Sequence, residues 1–196
     1  MNIFSFRIGI LFITLMGALN FFSCKSNQSI RIDTSTQFLF PDDWLGEWRG
    51  ELSIWNQGKK SMMVPMVVRN FPTAHSDTLE WALIYGEDEV KGLRAYYLIL
   101  DSLKDNHFVL DERNTIFLDG YVHDNVYVSN FSVMGNEITS VYKLLNKDQM
   151  SFEIFFNKEE PVSTSGNTVN GTDTIPEVNS FPVLTYQRAY LNKVKD

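Results

Sequence analysis

A single cysteine, Cys24, in a chain of 196 residues leaves no partner for an internal disulfide and excludes a zinc site built on several thiolates. Basic charge is also scarce. Seventeen Lys and Arg stand against 24 Asp and Glu, a net charge of -7, and no run of five or more basic residues occurs. The electrostatic attraction behind non-specific nucleic-acid binding is therefore missing, and nucleic acid is not expected as a partner. No window keeps apolar residues at helical spacing for more than about two turns, which disfavours α/β architectures that need crossover helices. A glycine-rich phosphate loop, a nucleophile elbow and a zinc motif are absent too, so the chain reads as non-enzymatic, without cofactor or metal. What is present is 44% hydrophobic residues, enough to rule out wholesale disorder and to predict one folded domain.

The N-terminus carries the most specific pattern. Arg7 precedes an uncharged apolar run from Ile8 to Phe22, and no further charge occurs before Lys25. A short basic region followed by such a run has the layout of an export signal. At about 15 residues, the run is shorter than the ~20 that a helix needs to cross the hydrocarbon core. Cys24 follows it directly, behind the small residue Ser23. Phe21-Phe22-Ser23-Cys24 resembles the lipobox of bacterial lipoproteins, with Phe21 where leucine is usual. The resemblance implies cleavage after residue 23, acylation of Cys24 and a lipid-anchored envelope protein. Lys25 in place of aspartate implies sorting to the outer membrane. The alternative is a soluble secreted protein with a free thiol, a poor choice in an oxidising compartment. Loss of residues 1–23 removes Arg7 and no acidic residue, moving the net charge from -7 to -8, so the anchored body should stand off anionic headgroups.

Residues 24–41 are rich in Ser, Thr, Asn and Gln and read as a flexible tether. The stretch 159–180 places Pro161, Gly166, Gly171 and Pro176 among Ser, Thr and Asn and reads as a mobile loop. Between them, from residue 42 onward, nearly everything alternates with period two. Trp48, Leu52 and Ile54 can face a core while Arg49, Glu51 and Ser53 face water; Met150, Phe152, Ile154 and Phe156 repeat the pattern. Ten strands are predicted, at 48–54, 62–71, 79–85, 93–101, 107–112, 115–123, 126–134, 138–145, 149–156 and 181–191. Turn residues such as Asn56-Gln57-Gly58, Asp124-Asn125 and Gly135-Asn136 separate them. Consecutive strands joined by tight turns form a meander, and closing it pairs the two exposed edges. The expected fold is all-β, a single antiparallel up-and-down barrel of about eight to ten strands, with a sandwich as the alternative.

Gly46-Glu47-Trp48 opens the first strand after a one-turn helix that Asp42 or Asp43 would cap, and the last strand carries Tyr186-Gln187-Arg188-Ala189-Tyr190. Together these resemble the ends of lipocalin-like (calycin) barrels, and the Arg-x-Tyr resembles the fatty-acid-binding branch. The resemblance implies that Gly46, Trp48 and Arg188 close one end of the barrel. It departs from fatty-acid-binding proteins between the first two strands, where residues 56–61 leave room for a turn but not for a helical pair. Haem-binding nitrobindin-like barrels need a proximal histidine that the C-terminal strands lack, His123 being the last histidine.

Tyr186, Arg188 and Tyr190 share one strand face with Leu184, so a guanidinium flanked by phenols inside the barrel could hold a ligand carboxylate. The alternative is an Arg188 stacked on Trp48 as a plug. His75-Ser76-Asp77 names three members of a hydrolytic triad, but contiguous residues cannot converge on one reacting atom. Asp111 and Glu112 fall on opposite faces of a strand, which argues against an acid and base pair; one of them could pair with Arg113 or Arg94. His107 and His123-Asp124 lack further ligands at a metal-binding spacing. Two functions fit this pattern: binding of a small apolar or amphipathic ligand in the barrel, or a barrel filled by its own aromatic residues that docks an envelope protein.

Overall fold

The computed structural model describes residues 38–195. The expected export signal at 1–23, Cys24 and the expected tether up to residue 37 lie outside the described residues.

Ten long strands form one closed antiparallel barrel. In chain order these are β1 (Gly46–Asn56), β2 (Lys59–Pro72), β3 (Thr78–Tyr85), β4 (Leu93–Leu100), β5 (His107–Asp111), β6 (Phe117–His123), β7 (Val126–Val133), β8 (Asn136–Asn146) and β9 (Gln149–Lys158), with the short β10 to β13 intervening before β14 (Val183–Lys193). Each long strand pairs with its sequence neighbours, and β14 pairs with β1 to close the ring. The meander therefore leaves no unpaired edge in the barrel wall. Tight turns make the connections possible. At Gln57-Gly58 and Met134-Gly135 both residues have positive φ, the combination whose twist matches a two-residue hairpin.

The period-two alternation becomes inside and outside. Trp48 and Leu52 of β1 and Met150 and Phe152 of β9 are buried, and they join Trp81, Tyr127, Tyr142 and Leu144 in one core. Gly50 falls on the inward side of β1 because nothing larger fits: a Cβ there would lie 2.1 Å from the carbonyl oxygen of Tyr190.

Three sequence expectations need correction. The barrel domain begins before residue 42, since Phe38 and Phe40 pack against the core; Phe40 makes edge contacts with Trp44 at 5.0 Å and Phe108 at 4.7 Å. Two aromatic rings so close to an apolar cavity gain more from burial than from remaining in a solvated tether. The one-turn helix is a 3₁₀ turn at Asp42–Trp44, and neither aspartate caps it; Asp43 Oδ2 instead accepts from Leu39 N–H at 2.7 Å. Residues 159–180, expected as a mobile loop without strands, carry strand pairing of their own and form an arm. Its base pairs β10 (Ser163–Ser165) with β13 (Val178–Ser180), and its tip pairs β11 (Thr168–Asn170) with β12 (Asp173–Ile175), with every one of these residues exposed. Gly166 and Gly171, which read as loop punctuation, supply positive φ values of +79° and +63° along the arm.

A short helix, α1 (Glu89–Gly92), packs on β3 and is capped by Asp88, whose carboxylate accepts from the N–H groups of Val90 and Lys91. Its Glu89 completes a four-membered ion network with Glu47, Arg49 and Arg69, in which each guanidinium bridges both carboxylates. Burial works to raise the Glu47 carboxyl, but its two arginine partners outweigh it and hold the group below the ordinary carboxylate range.

Candidate functional site at the open end of the barrel

The two ends of the barrel differ in what fills them. At the chain-entry end, Trp44 sits fully buried across the opening, and its carbonyl accepts from Trp48 Nε1 at 2.9 Å and from Asn70 Nδ2 at 3.2 Å. Next to it, Trp81 packs against Tyr142 at 5.3 Å and against Tyr127 at 5.8 Å. This half of the barrel is solid with aromatic rings.

Toward the other end the rings thin out. A hollow of about 130 Å³ opens inside the wall, and a second of about 360 Å³ adjoins it at the rim, the two sharing Glu112, Leu118 and Phe131. Leu118, Phe131, Ile138 and Ile154 give the mouth apolar walls. Tyr85, Tyr96, Ser140 and Glu112 add polar atoms. Burial pushes the Tyr85 phenol far up, and burial aided by the Glu112 carboxylate raises that of Tyr96. Both phenols therefore remain neutral hydrogen-bond donors at physiological pH. Among the described residues neither phenol, nor the Ser140 hydroxyl, has a hydrogen-bond partner, and Glu112 accepts only a 3.3 Å bond from Asn114. An apolar mouth with a few unused polar groups suits a small amphipathic molecule. A separate hollow of about 280 Å³ lies outside the closed end, where Phe40 and Phe108 underlie Asp77, Asp101 and Asp105.

The residues singled out from the sequence fall elsewhere. Ala189 and Leu191 are the buried residues of β14, which turns Tyr186, Arg188 and Tyr190 to the outer surface. Arg188 accordingly does not reach Trp48. Its guanidinium lies 5.6 Å from the Trp55 ring and 5.2 Å from the Tyr190 ring. The basic residue over Trp48 is Lys193, whose Nζ is 5.0 Å from the ring, and Gly46 is the neighbour that leaves it room: a Cβ at Gly46 would lie 3.0 Å from Lys193 Cε. Lys193 continues the inward alternation of Ala189 and Leu191, a face of the strand with no aromatic residue to mark it in the sequence.

His75, Ser76 and Asp77 lie at or beside the turn entering β3, and the Asp77 carboxylate accepts from the Thr78 hydroxyl. Asp111 faces outward and accepts from the backbone N–H of Arg113, while the Arg113 guanidinium sits 4.9 Å over the Tyr97 ring and pairs with neither carboxylate. His107 is committed on both sides. Its Nδ1 is 2.8 Å from Asp101 Oδ2 and its Nε2 2.8 Å from Asp119 Oδ1, with the ring stacked on Tyr121. The two carboxylates raise its pKa above the usual imidazole value and favour the doubly protonated ring. A ring held between two carboxylates in this way has no free nitrogen for a metal or for base chemistry. Among the described residues no group of three His, Cys, Asp or Glu converges for a metal ion.

No protein-family model matches the chain, and no curated protein matches it in sequence. Its likeness is to solved structures. One is a protein of unknown function from the DUF3598 family of Nostoc punctiforme, with a TM-score of 0.57 and 10% identity over 81% of this chain and 50% of that one. The chain thus spans half the length of the Nostoc protein. Another is an S-type phycobiliprotein lyase from Guillardia theta, with a TM-score of 0.50 and 11% identity over 79% of this chain and 90% of the lyase. What the chain shares with them is a barrel-like β fold. At such identities the likeness concerns the fold alone.

Proposed function

We propose that the protein is a non-enzymatic, lipid-anchored lipoprotein of the bacterial cell envelope that holds a small apolar or amphipathic ligand in the open mouth of its barrel. The supporting observation is the mouth itself: apolar walls around the phenols of Tyr85 and Tyr96, neutral donors without a protein partner among the described residues. They and Glu112 would orient the polar end of the ligand, the role first given to Arg188 and Tyr190. A fold similar to that of a phycobiliprotein lyase is consistent with a ligand-holding barrel. The anchor rests on the apolar run and on Cys24, with the outer membrane as its destination. A second reading has support of its own. Half of the barrel is filled by aromatic side chains, and the arm at 159–180 exposes Val162, Val169 and Val178, as a module that docks an envelope partner would.

Native mass spectrometry with extraction of co-purified small molecules tests the ligand. A bound species lost in Leu118→Phe, which narrows the mouth, is the expected result; a protein that carries none and takes up no apolar probe is the docking module instead. Metabolic labelling with a fatty acid tests the anchor. Label incorporation should disappear in Cys24→Ala, and equal labelling of the variant would refute acylation at that residue.

A further inference from the structure

Outside the barrel, Tyr186, Arg188 and Tyr190 stand in register with Trp55, Ser53 and Glu51 of β1 on one side and with Phe155, Glu153 and Ser151 of β9 on the other. Three rings line up across the three strands: Trp55 and Tyr186 stack at 5.4 Å and 26°, and Phe155 lies 5.0 Å from Tyr186. Two cations attend this row. Arg188 lies over Trp55 and Tyr190, and Lys60 Nζ lies 5.7 Å from the Trp55 ring. Neither cation forms an ion pair among the described residues, where only Arg49, Arg69, Lys91 and Lys195 of the lysines and arginines do. Beside them is a hollow of about 370 Å³, formed by Trp55, Tyr186, Val183, Leu184 and Gly58.

The geometry narrows the occupant. Tyr186 stacks on the Trp55 ring, Lys60 and Arg188 lie 5.7 and 5.6 Å from it, and the ring still borders the hollow. Aliphatic side chains and two cations without an ion pair stand beside it, Glu153 being the carboxylate in register with Arg188. On a chain with net charge -7, cations left unpaired beside an apolar hollow are complementary to a molecule with an apolar body and an anionic end. We infer that this outer hollow binds an amphipathic anion as a free molecule, its single apolar chain against Trp55, Tyr186, Val183 and Leu184 and its carboxylate or sulfate drawn to Lys60 and Arg188, which flank the Trp55 ring. The site is separate from the barrel mouth. Glu153, across the strand pair from Arg188, is the carboxylate that competes with the ligand head.

Three of the four tryptophans, Trp44, Trp48 and Trp81, are 0% exposed, so acrylamide quenching of the intrinsic fluorescence reports on Trp55. Octanoate titrated into the full chain should shield Trp55 and bind at least about ten-fold more tightly than octyltrimethylammonium. The surface double variant Lys60→Gln/Arg188→Gln should lose about five-fold or more of the octanoate affinity while binding octanol as before. Glu153→Gln should bind octanoate more tightly, and Leu118→Phe should leave it unchanged. Equal binding of the anion and the cation, or undiminished octanoate binding by the double variant, would overturn the proposal. So would loss of binding in Leu118→Phe, which places octanoate in the mouth, or shielding by phosphatidylglycerol vesicles without any by octanoate, which makes the patch a membrane contact.

Discussion

His107 illustrates how much a single side chain depends on neighbours distant in sequence. Asp101 precedes it by six residues and Asp119 follows by twelve, and the pairing of β5 with β6, together with the loop before β5, brings both carboxylates to the ring. The charged imidazole is the stabilised form, so its pKa is raised in the folded state above the 6.5 of an unperturbed histidine. Its contribution to stability is complete below pH 6.5 and is lost as pH rises through the folded value. Asp101 behaves in the opposite sense. Its bond to His107, with help from Leu103 N–H, holds its carboxyl below 3.8, so its contribution is complete above pH 3.8 and is lost as pH falls through the lowered value. The pair therefore stabilises most between these limits. Titration of His107 by NMR should give a raised pKa that moves back toward 6.5 in Asp119→Asn. An unshifted value in the native protein would show that the two carboxylates do not hold the ring.

At the scale of elements, strand β1 shows what the alternation of side chains can and cannot announce. The inward series of Trp48, Gly50, Leu52 and Ile54 is plain in the sequence, but the reason for glycine at its second position is a close approach of two backbones. An added methyl would meet the Tyr190 carbonyl at 2.1 Å, and backbone cannot rotate aside as a side chain can. Gly50→Ala should cost roughly 1–3 kcal/mol, as overpacking of a closed core does, visible in urea unfolding as a lowered midpoint with an unchanged slope. A variant as stable as the parent would mean that β1 and β14 can separate locally without loss. Strand β14 teaches the converse. Its two faces, Tyr186-Arg188-Tyr190 and Ala189-Leu191-Lys193, both alternate, and the larger, more aromatic set is the outer one. The interior beside it is already occupied by Trp48, Phe152 and Met150, leaving space for an alanine and a leucine.

On the scale of the whole molecule, the barrel and the arm are distinct in their packing. Strands β9 and β14 pair from Gln149 with Asn192 to Asn157 with Val183, and the Lys158 N–H donates to the Pro182 carbonyl, so the wall is complete at the base of the arm. The β10–β13 and β11–β12 pairs beyond it are two-stranded and exposed, an arrangement that is marginal in water by itself. Replacing residues 160–181 with a short Asn-Gly turn should leave the barrel folded with stability within about 1 kcal/mol of the parent, because loop length enters only logarithmically. Thermal unfolding followed by circular dichroism measures this, and collapse of the β signal would show that the arm supports the wall.

The sequence by itself determined where the long strands lie and that they meander, and it favoured closure over a sandwich; the β14–β1 pairing is what closes the barrel. Side-chain alternation and turn residues are local properties, and a meander with one apolar face has two edges that closure removes. It also carries the whole case for the export signal and for Cys24. The tertiary structure alone decided which face of β14 turns inward, that Lys193 and not Arg188 lies over Trp48, that Phe38 and Phe40 belong to the core, and that His107 is held between two aspartates. Each of these depends on the volume left by residues far along the chain or on the register of paired strands, and neither quantity is present in any local stretch of sequence.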